Sequence, residues 1–138
     1  MIEIDESTDF GARVAAHLRD DIVVWLTSVS PKGAPLPTPV WFHWDGASGV
    51  RVQSLATARR AEHLRANPHV SLNFAGNGDG GDIVVLSGRA TVVLAAPLLD
   101  GYAAKYGAEI PRIGETAASF AAKYSTGLDI ELGRLWGH

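Results

Sequence analysis

The sequence predicts a mainly β fold of the α+β class: six strands, mostly antiparallel, curled into a small closed or half-open barrel with short flanking helices. Three observations lead there. Apolar β-branched runs and alternating runs recur along the whole chain, each long enough for a strand. Fifteen glycines and seven prolines in 138 residues suit tight turns between short elements. Helical periodicity interrupts the strands at only three places, and no repeat, linker or low-complexity tail divides residues 1–138, so one domain is expected.

Taken in order, residues 7–19 read as a helix, with Ser7 as cap and Phe10, Val14 and Leu18 on one face. IVVWLTSV, 22–29, is an unbroken apolar strand of the kind covered on both faces. PKGAP turns the chain, and LPTPVWFHW, 36–44, returns as one strand. Pro35, Pro37 and Pro39 cannot donate to a ladder, so part of this strand must lie at an edge or face a ligand. VRVQS, 50–54, and HVSLNF, 69–74, alternate cleanly. Between them Thr57 caps a helix that runs to about Ala66 and stops at Asn67-Pro68. GNGDGGD, 76–82, is a hairpin turn, and IVVLSGRATVVLA, 83–95, is a long strand with a bulge or bend at Gly88. Two helices follow, the first after Pro97 with Leu98, Tyr102 and Tyr106 on a face, the second with Ala117, Phe120, Ala121 and Tyr124. LDIELGRLW closes the chain as a strand.

Composition excludes several chemistries. There is no cysteine, hence no disulfide framework, Cys-ligated zinc, iron–sulfur cluster or thiol nucleophile. A net charge of −3 argues against nucleic acid as a partner. No apolar run approaches the roughly 18 residues of a membrane span, and MIEIDESTDF lacks a basic leader, so a cytoplasmic protein away from the membrane is expected. The five histidines show no metal-ligand spacing, and no metal site is expected. No G-x-S-x-G elbow is present, and GNGDGG lacks the lysine of a phosphate loop and precedes a strand.

TARRAEHLRANP, 57–68, is the segment that carries chemistry. It sets Arg59 and Arg60 in the first turn of a helix, whose partial positive charge disfavours each by about 0.3–1 kcal/mol. An anion held by both guanidinium groups, the Thr57 hydroxyl and the free N–H groups reverses that sign, at about 1.5–3 kcal/mol per charged hydrogen bond. Pairing with Glu62 accounts for the arginines equally well on local grounds. PTPVWF adds a proline-interrupted strand that carries Trp41, and Trp44 follows; such a strand suits a flat ring carrying a phosphate tail, whereas core packing is the simpler role for either tryptophan.

The order LTSVSPKGAPLPTPVWF, VQS, TARRAEHLRANPHVSLNF, VVLSGRATVV resembles the pyridoxamine 5′-phosphate oxidase-like split β-barrel proteins over residues 10–136. Within them it is most similar to the small actinobacterial branch that uses the deazaflavin coenzyme F420. The resemblance implies a six-stranded antiparallel split β-barrel and a homodimer with two cofactor sites at the interface. It implies that Thr38, Pro39, Val40 and Trp41 lie along the cofactor ring, and that Ser54, Thr57, Arg59 and Arg60 hold its phosphate. It implies that Arg134 and Trp136 approach the partner subunit's cofactor. Family members commonly carry lysine at the position of Arg60; arginine keeps the charge with a different reach. The chain is shorter than a true pyridoxamine phosphate oxidase, and production of pyridoxal phosphate is not expected. The expected activity is that of an F420-dependent oxidoreductase reducing an unsaturated or quinone-like small molecule, with no catalytic side chain singled out. Alternatives are an FMN-dependent enzyme of the same fold and a non-catalytic flavin or haem carrier.

Overall fold

The structure, a computed structural model, describes residues 1–138. Its elements run α1 (Asp9–Asp20), β1 (Val24–Val29), β2 (Pro35–Val40), β3 (His43–Trp44), β4 (Gly49–Ser54), α2 (Arg59–Ala66), β5 (His69–Asn73), β6 (Val84–Val93), α3 (Asp100–Lys105), α4 (Glu109–Arg112), α5 (Ala117–Lys123) and β7 (Thr126–Gly137). Seven strands form one antiparallel sheet in the order β2-β1-β5-β6-β7-β4-β3. No helix is long and apolar enough to cross a membrane.

The expected single strand over 36–44 is two strands, which is why there are seven and not six. β2 pairs with β1 at one edge of the sheet and β3 pairs with β4 at the other. Only Trp41 and Phe42 separate them, so the two edges stand at most about 11 Å apart at that point. The sheet is thereby curled nearly shut, yet β2 and β3 share no ladder: this is a split barrel. Its core of 20 buried residues includes Val24, Leu26, Phe42, Val52, Leu72, Leu86 and Leu128, with Val14, Ala15 and Leu18 supplied by α1 and Leu64 by α2.

Phe42 sits in the split, where no strand can satisfy its main chain. α3 does so instead. The Tyr106 hydroxyl accepts the Phe42 N–H at 2.8 Å and donates to the Ile22 carbonyl at 2.7 Å. The Lys105 ammonium donates to the Phe42 carbonyl at 3.1 Å and lies 3.6 Å from the centre of its ring. Burial pulls Lys105 down to about 8, against the opposing pull of Asp21 and Asp20. Tyr102, Tyr106, Ile110 and Phe120 form a second small core against which Trp41, Leu98 and Tyr124 pack.

The prolines of β2 are spaced by two, and alternate residues of an antiparallel strand turn their N–H groups to opposite sides. Pro35, Pro37 and Pro39 therefore face away from β1, while Leu36, Thr38 and Val40 bond to it. The open edge of β2 carries carbonyl acceptors and no donors, which blocks edge-to-edge pairing. At the other long pairing, β6–β7, the register shifts between Ser87 and Gly88, as expected for the bulge. A Cβ on Gly88 would run into the Glu131 carbonyl. The 76–82 segment joins β5 to β6 as the expected hairpin turn; the Asn77 side chain accepts the Asp79 and Gly81 N–H groups.

Four local expectations change. Thr8, not Ser7, caps α1, accepting the Gly11 N–H at 2.9 Å, while Ser7 bonds back to Asp5. Ala58, not Thr57, is the N-cap of α2, and it supplies no side-chain acceptor. Pro97 lies outside α3, whose N-cap is Leu99. β1 is not covered on both faces within the chain: Val24, Leu26 and Ser28 are buried, but Trp25 is 39% exposed.

Replacing Tyr106 with phenylalanine keeps the ring and strands the buried Phe42 N–H and the Ile22 carbonyl. The expected cost, read by urea denaturation, is about 2–4 kcal/mol. A change under about 0.5 kcal/mol would mean that these groups find other partners.

Candidate functional site

Two clefts meet at Arg60. The first, of about 300 Å³, lies between the end of β2 and helices α3–α5 and is lined by Pro39, Val40 and Trp41, by Gln53, Arg60 and Tyr102, and by Ile113, Phe120 and Tyr124. The second, of about 530 Å³, lies between β2 and the start of α2; Ser28, Leu36, Pro37, Thr38, Ala58, Arg59, Arg60 and His63 line it.

The first cleft has aromatic walls held in place by stacking. Trp41 stacks on Tyr106, centroids 4.6 Å apart and 9° from parallel, and on Phe120 at 5.7 Å. Phe120 in turn stacks on Tyr124 at 4.5 Å. Trp44 takes the simpler of its two expected roles: it is buried in the core, away from this cleft, and donates its indole N–H to the Ala47 carbonyl. Gln53 is buried, with its amide donating to the Tyr124 carbonyl at 2.8 Å and accepting from Arg51 at 3.1 Å. Tyr102 is fully buried, and its hydroxyl has no hydrogen-bond partner, although the Gln53 main chain lies near.

The second cleft is cationic. Arg59 and Arg60 are the first two residues of α2, whose first-turn N–H groups have no side-chain cap. Neither arginine pairs with a carboxylate, and Glu62 takes no part in any ion pair. The Glu62 alternative is thus not realised. Burial pushes the Arg60 guanidinium below its ordinary value, with no counter-charge to offset it. On the next turn, His63 Nδ1 is buried without a partner. An anion placed here would meet two guanidinium groups, free main-chain donors and the Ser28 and Thr38 side chains.

The residues singled out from the sequence divide as follows. Thr38, Arg59 and Arg60 share the second cleft; Pro39, Val40 and Trp41 share the first with Arg60. Ser54 is buried opposite Thr126 and lines neither. Thr57 stands in the turn before α2 and lines neither. Arg134 and Trp136 lie on β7 opposite Ser87 and Val85, away from both clefts of their own chain. They belong instead to two rows that cross the outer face of the sheet. One row is Pro39, Trp25, Asn73, Val85 and Trp136; the other is Pro37, Thr27, Ser71, Ser87 and Arg134. Trp136 is 60% exposed in the single chain.

Sequence reasoning missed Gln53, Tyr102, Phe120 and Tyr124 as lining residues, because the aromatics fit a helical core face. The available signal was Gln53, a polar residue at an outward position of β4 that two apolar helices had to cover.

The sequence profile of the pyridoxamine 5′-phosphate oxidase family matches residues 10–137. No curated protein matches the chain. Among solved structures, an F420 reductase superposes with a TM-score of 0.66 at 18% identity, covering 88% of this chain and 94% of its own. General stress protein 26 of Bacillus anthracis gives 0.63 at 11% identity, covering 91% and 90%. HutZ, the haem storage protein of Vibrio cholerae, gives 0.62 at 16%, covering 99% and 95%. At these identities the likeness establishes the fold.

The anion site is testable without any cofactor. At ten times its dissociation constant, pyrophosphate adds about 1.4 kcal/mol of stability, or roughly 3–5 °C in Tm. That shift is expected in the wild-type protein and is expected to vanish in an Arg59→Ala/Arg60→Ala variant. An equal shift in both proteins places the anion elsewhere.

Proposed function

The chain belongs to the pyridoxamine 5′-phosphate oxidase family, and on that footing we propose that it is a reductase that holds coenzyme F420 across the two joined clefts and reduces an unsaturated or quinone-like small molecule. One observation carries this reading: of two unpaired arginines at an uncapped helix start, the second, Arg60, also lines an aromatic cleft at the lower end of the usual ligand-pocket range, about 300–1,000 Å³. An F420 reductase is among the solved structures that share this fold, and the deazaflavin is chosen on that analogy.

The residues present fit such a group. Arg59 and Arg60 would grip the phosphate. The open edge of β2 offers the carbonyls of Pro37 and Pro39 to N–H groups of a ring. Trp41, Phe120 and Tyr124 exclude water from one side, which strengthens each polar contact inside. When bound, the reduced cofactor supplies a hydride, two electrons with one proton, to the acceptor, and water supplies the second proton. Productive transfer requires the acceptor carbon within roughly 3–3.5 Å, so the protein's contribution is to position and to shield.

The proposal includes a homodimer. The outer rows ending in Arg134 and Trp136 expose two tryptophans beside small residues, a face that a second copy would cover. In that arrangement the partner's Trp136 completes the wall that this chain leaves open. FMN in the same clefts is the nearest rival, and the likeness to a haem storage protein keeps a carrier in view.

Fluorescence titration with F420 and with FMN, followed by anaerobic reoxidation of reduced F420 against quinones, enones and tetrapyrroles, separates these readings. F420 is expected to bind more tightly than FMN, and Arg59→Ala/Arg60→Ala is expected to weaken it by about 2–4 kcal/mol. At least one acceptor is expected to speed reoxidation. Tight binding with no acceleration makes the protein a carrier; tighter FMN binding makes it a flavoenzyme; binding of neither overturns the reading.

A further inference from the structure

The ring of Tyr102 belongs to the small core under α3–α5, but its hydroxyl has no role there. It is fully buried between α3 and the barrel, and it lines the aromatic cleft. Its hydroxyl meets no partner at full hydrogen-bond geometry; the Gln53 main chain lies near it on the acceptor side, and the buried O–H donor is left unsatisfied. Tyr106, one helical turn later in the same small core, spends its hydroxyl on two main-chain groups of the split. A phenylalanine at position 102 would fill the same space without the cost of an orphaned polar atom, about 1–3 kcal/mol. Core packing therefore explains the ring of Tyr102 and leaves its oxygen unexplained.

The rest of the cleft narrows what the oxygen can meet. The side-chain carbonyl and amide of Gln53 are already engaged, to Arg51 and to the Tyr124 carbonyl, and its nearby main chain favours the ionised phenol, so it acts as a donor and does not accept the Tyr102 proton. Trp41, Phe120, Val40 and Ile113 offer no acceptor side chain. Burial, reinforced by Tyr106, raises the phenol far above its ordinary value, so it stays protonated and is a poor acid. A group of that kind donates a hydrogen bond and does not deliver a proton.

We infer that Tyr102 is a positioning residue for the bound ring: its hydroxyl donates a hydrogen bond to a carbonyl oxygen or ring nitrogen on the edge of a planar heterocycle seated in the aromatic cleft. This rests on the proposal that the cleft takes the ring of a phosphate-bearing cofactor, and adds which edge contact orients it. Tyr102 acts at the opposite side of the cleft system from Arg59, so its contribution is independent of the phosphate.

The test is Tyr102→Phe, read in three ways: Tm of the ligand-free protein, dissociation constants for F420, for FMN and for the deazaflavin chromophore stripped of its phosphate tail, and the absorption maximum of the bound ring. The expected results are a ligand-free Tm equal to or above wild type, a loss of affinity of about 10-fold for whichever ring the wild type binds, and a displaced absorption maximum. The loss should be the same factor with and without the phosphate tail, whereas Arg59→Ala should weaken only the phosphate-bearing ligand. A fall in ligand-free Tm with unchanged affinity would show a structural hydroxyl and overturn the inference. Unchanged affinity and spectrum in a variant whose wild type binds would overturn it while leaving the proposed function standing. If the wild type binds none of the three ligands, both fall together.

Discussion

The two-residue crossing at Trp41–Phe42 is the constraint on which the rest of the molecule depends. It forces one chain segment to serve both edges of the same sheet, so the barrel is curled but cannot close by hydrogen bonding. Main-chain groups in that gap would be orphaned in an apolar core, and α3 exists in the right place to meet them through Tyr106 and Lys105. Once α3 is pinned there, α4 and α5 follow, Trp41 is clamped between Tyr106 and Phe120, and a cleft is left beside the open edge of β2. A structural need at the seam thus produces the wall of the site.

The site's second half follows from electrostatics. Placing two cations at the positive end of a helix is locally unfavourable, and half-burying one of them adds to the cost. Elsewhere Arg13 pairs with Asp82, Arg19 with Glu6 and Arg51 with Asp129, whereas Arg65, Arg89, Arg112 and Arg134 form no ion pair. Arg59 and Arg60 also lack carboxylate partners, and they alone stand side by side in the first turn of a helix and line one cleft. Their isolation is intelligible as a site whose counter-charge arrives with a ligand.

Much of this was legible in the sequence because it depends on local pattern. The alternation of VRVQS and HVSLNF, the Gly88 bulge, the Asn67-Pro68 stop and the edge character of the proline-spaced strand all follow from backbone chemistry within a few residues. The break between β2 and β3 was not legible, since PVWFHW has uniform β propensity and only the sheet's curvature decides that Trp41 and Phe42 leave the ladder. The capping errors at Ser7 and Thr57 are of one kind: two adjacent residues compete, and a single residue's shift in helix start selects between them. The arginines were legible as a charge anomaly, whereas Gln53 and Tyr102 were not, because their roles come from α3–α5 folding over an outward strand face. Arg134 and Trp136 were placed from a family likeness alone, and within one chain they mark an exposed outer face.

The central claim is that one ligand occupies both clefts at once, joined at Arg60. Hydrogen–deuterium exchange with F420 and with pyrophosphate tests it directly. F420 is predicted to slow exchange both at Trp41, at the end of β2, and across Arg59–Ala61 at the start of α2, while pyrophosphate slows only the second segment. Protection by F420 confined to one of the two segments, or found instead on the outer face of β6 and β7, would contradict it.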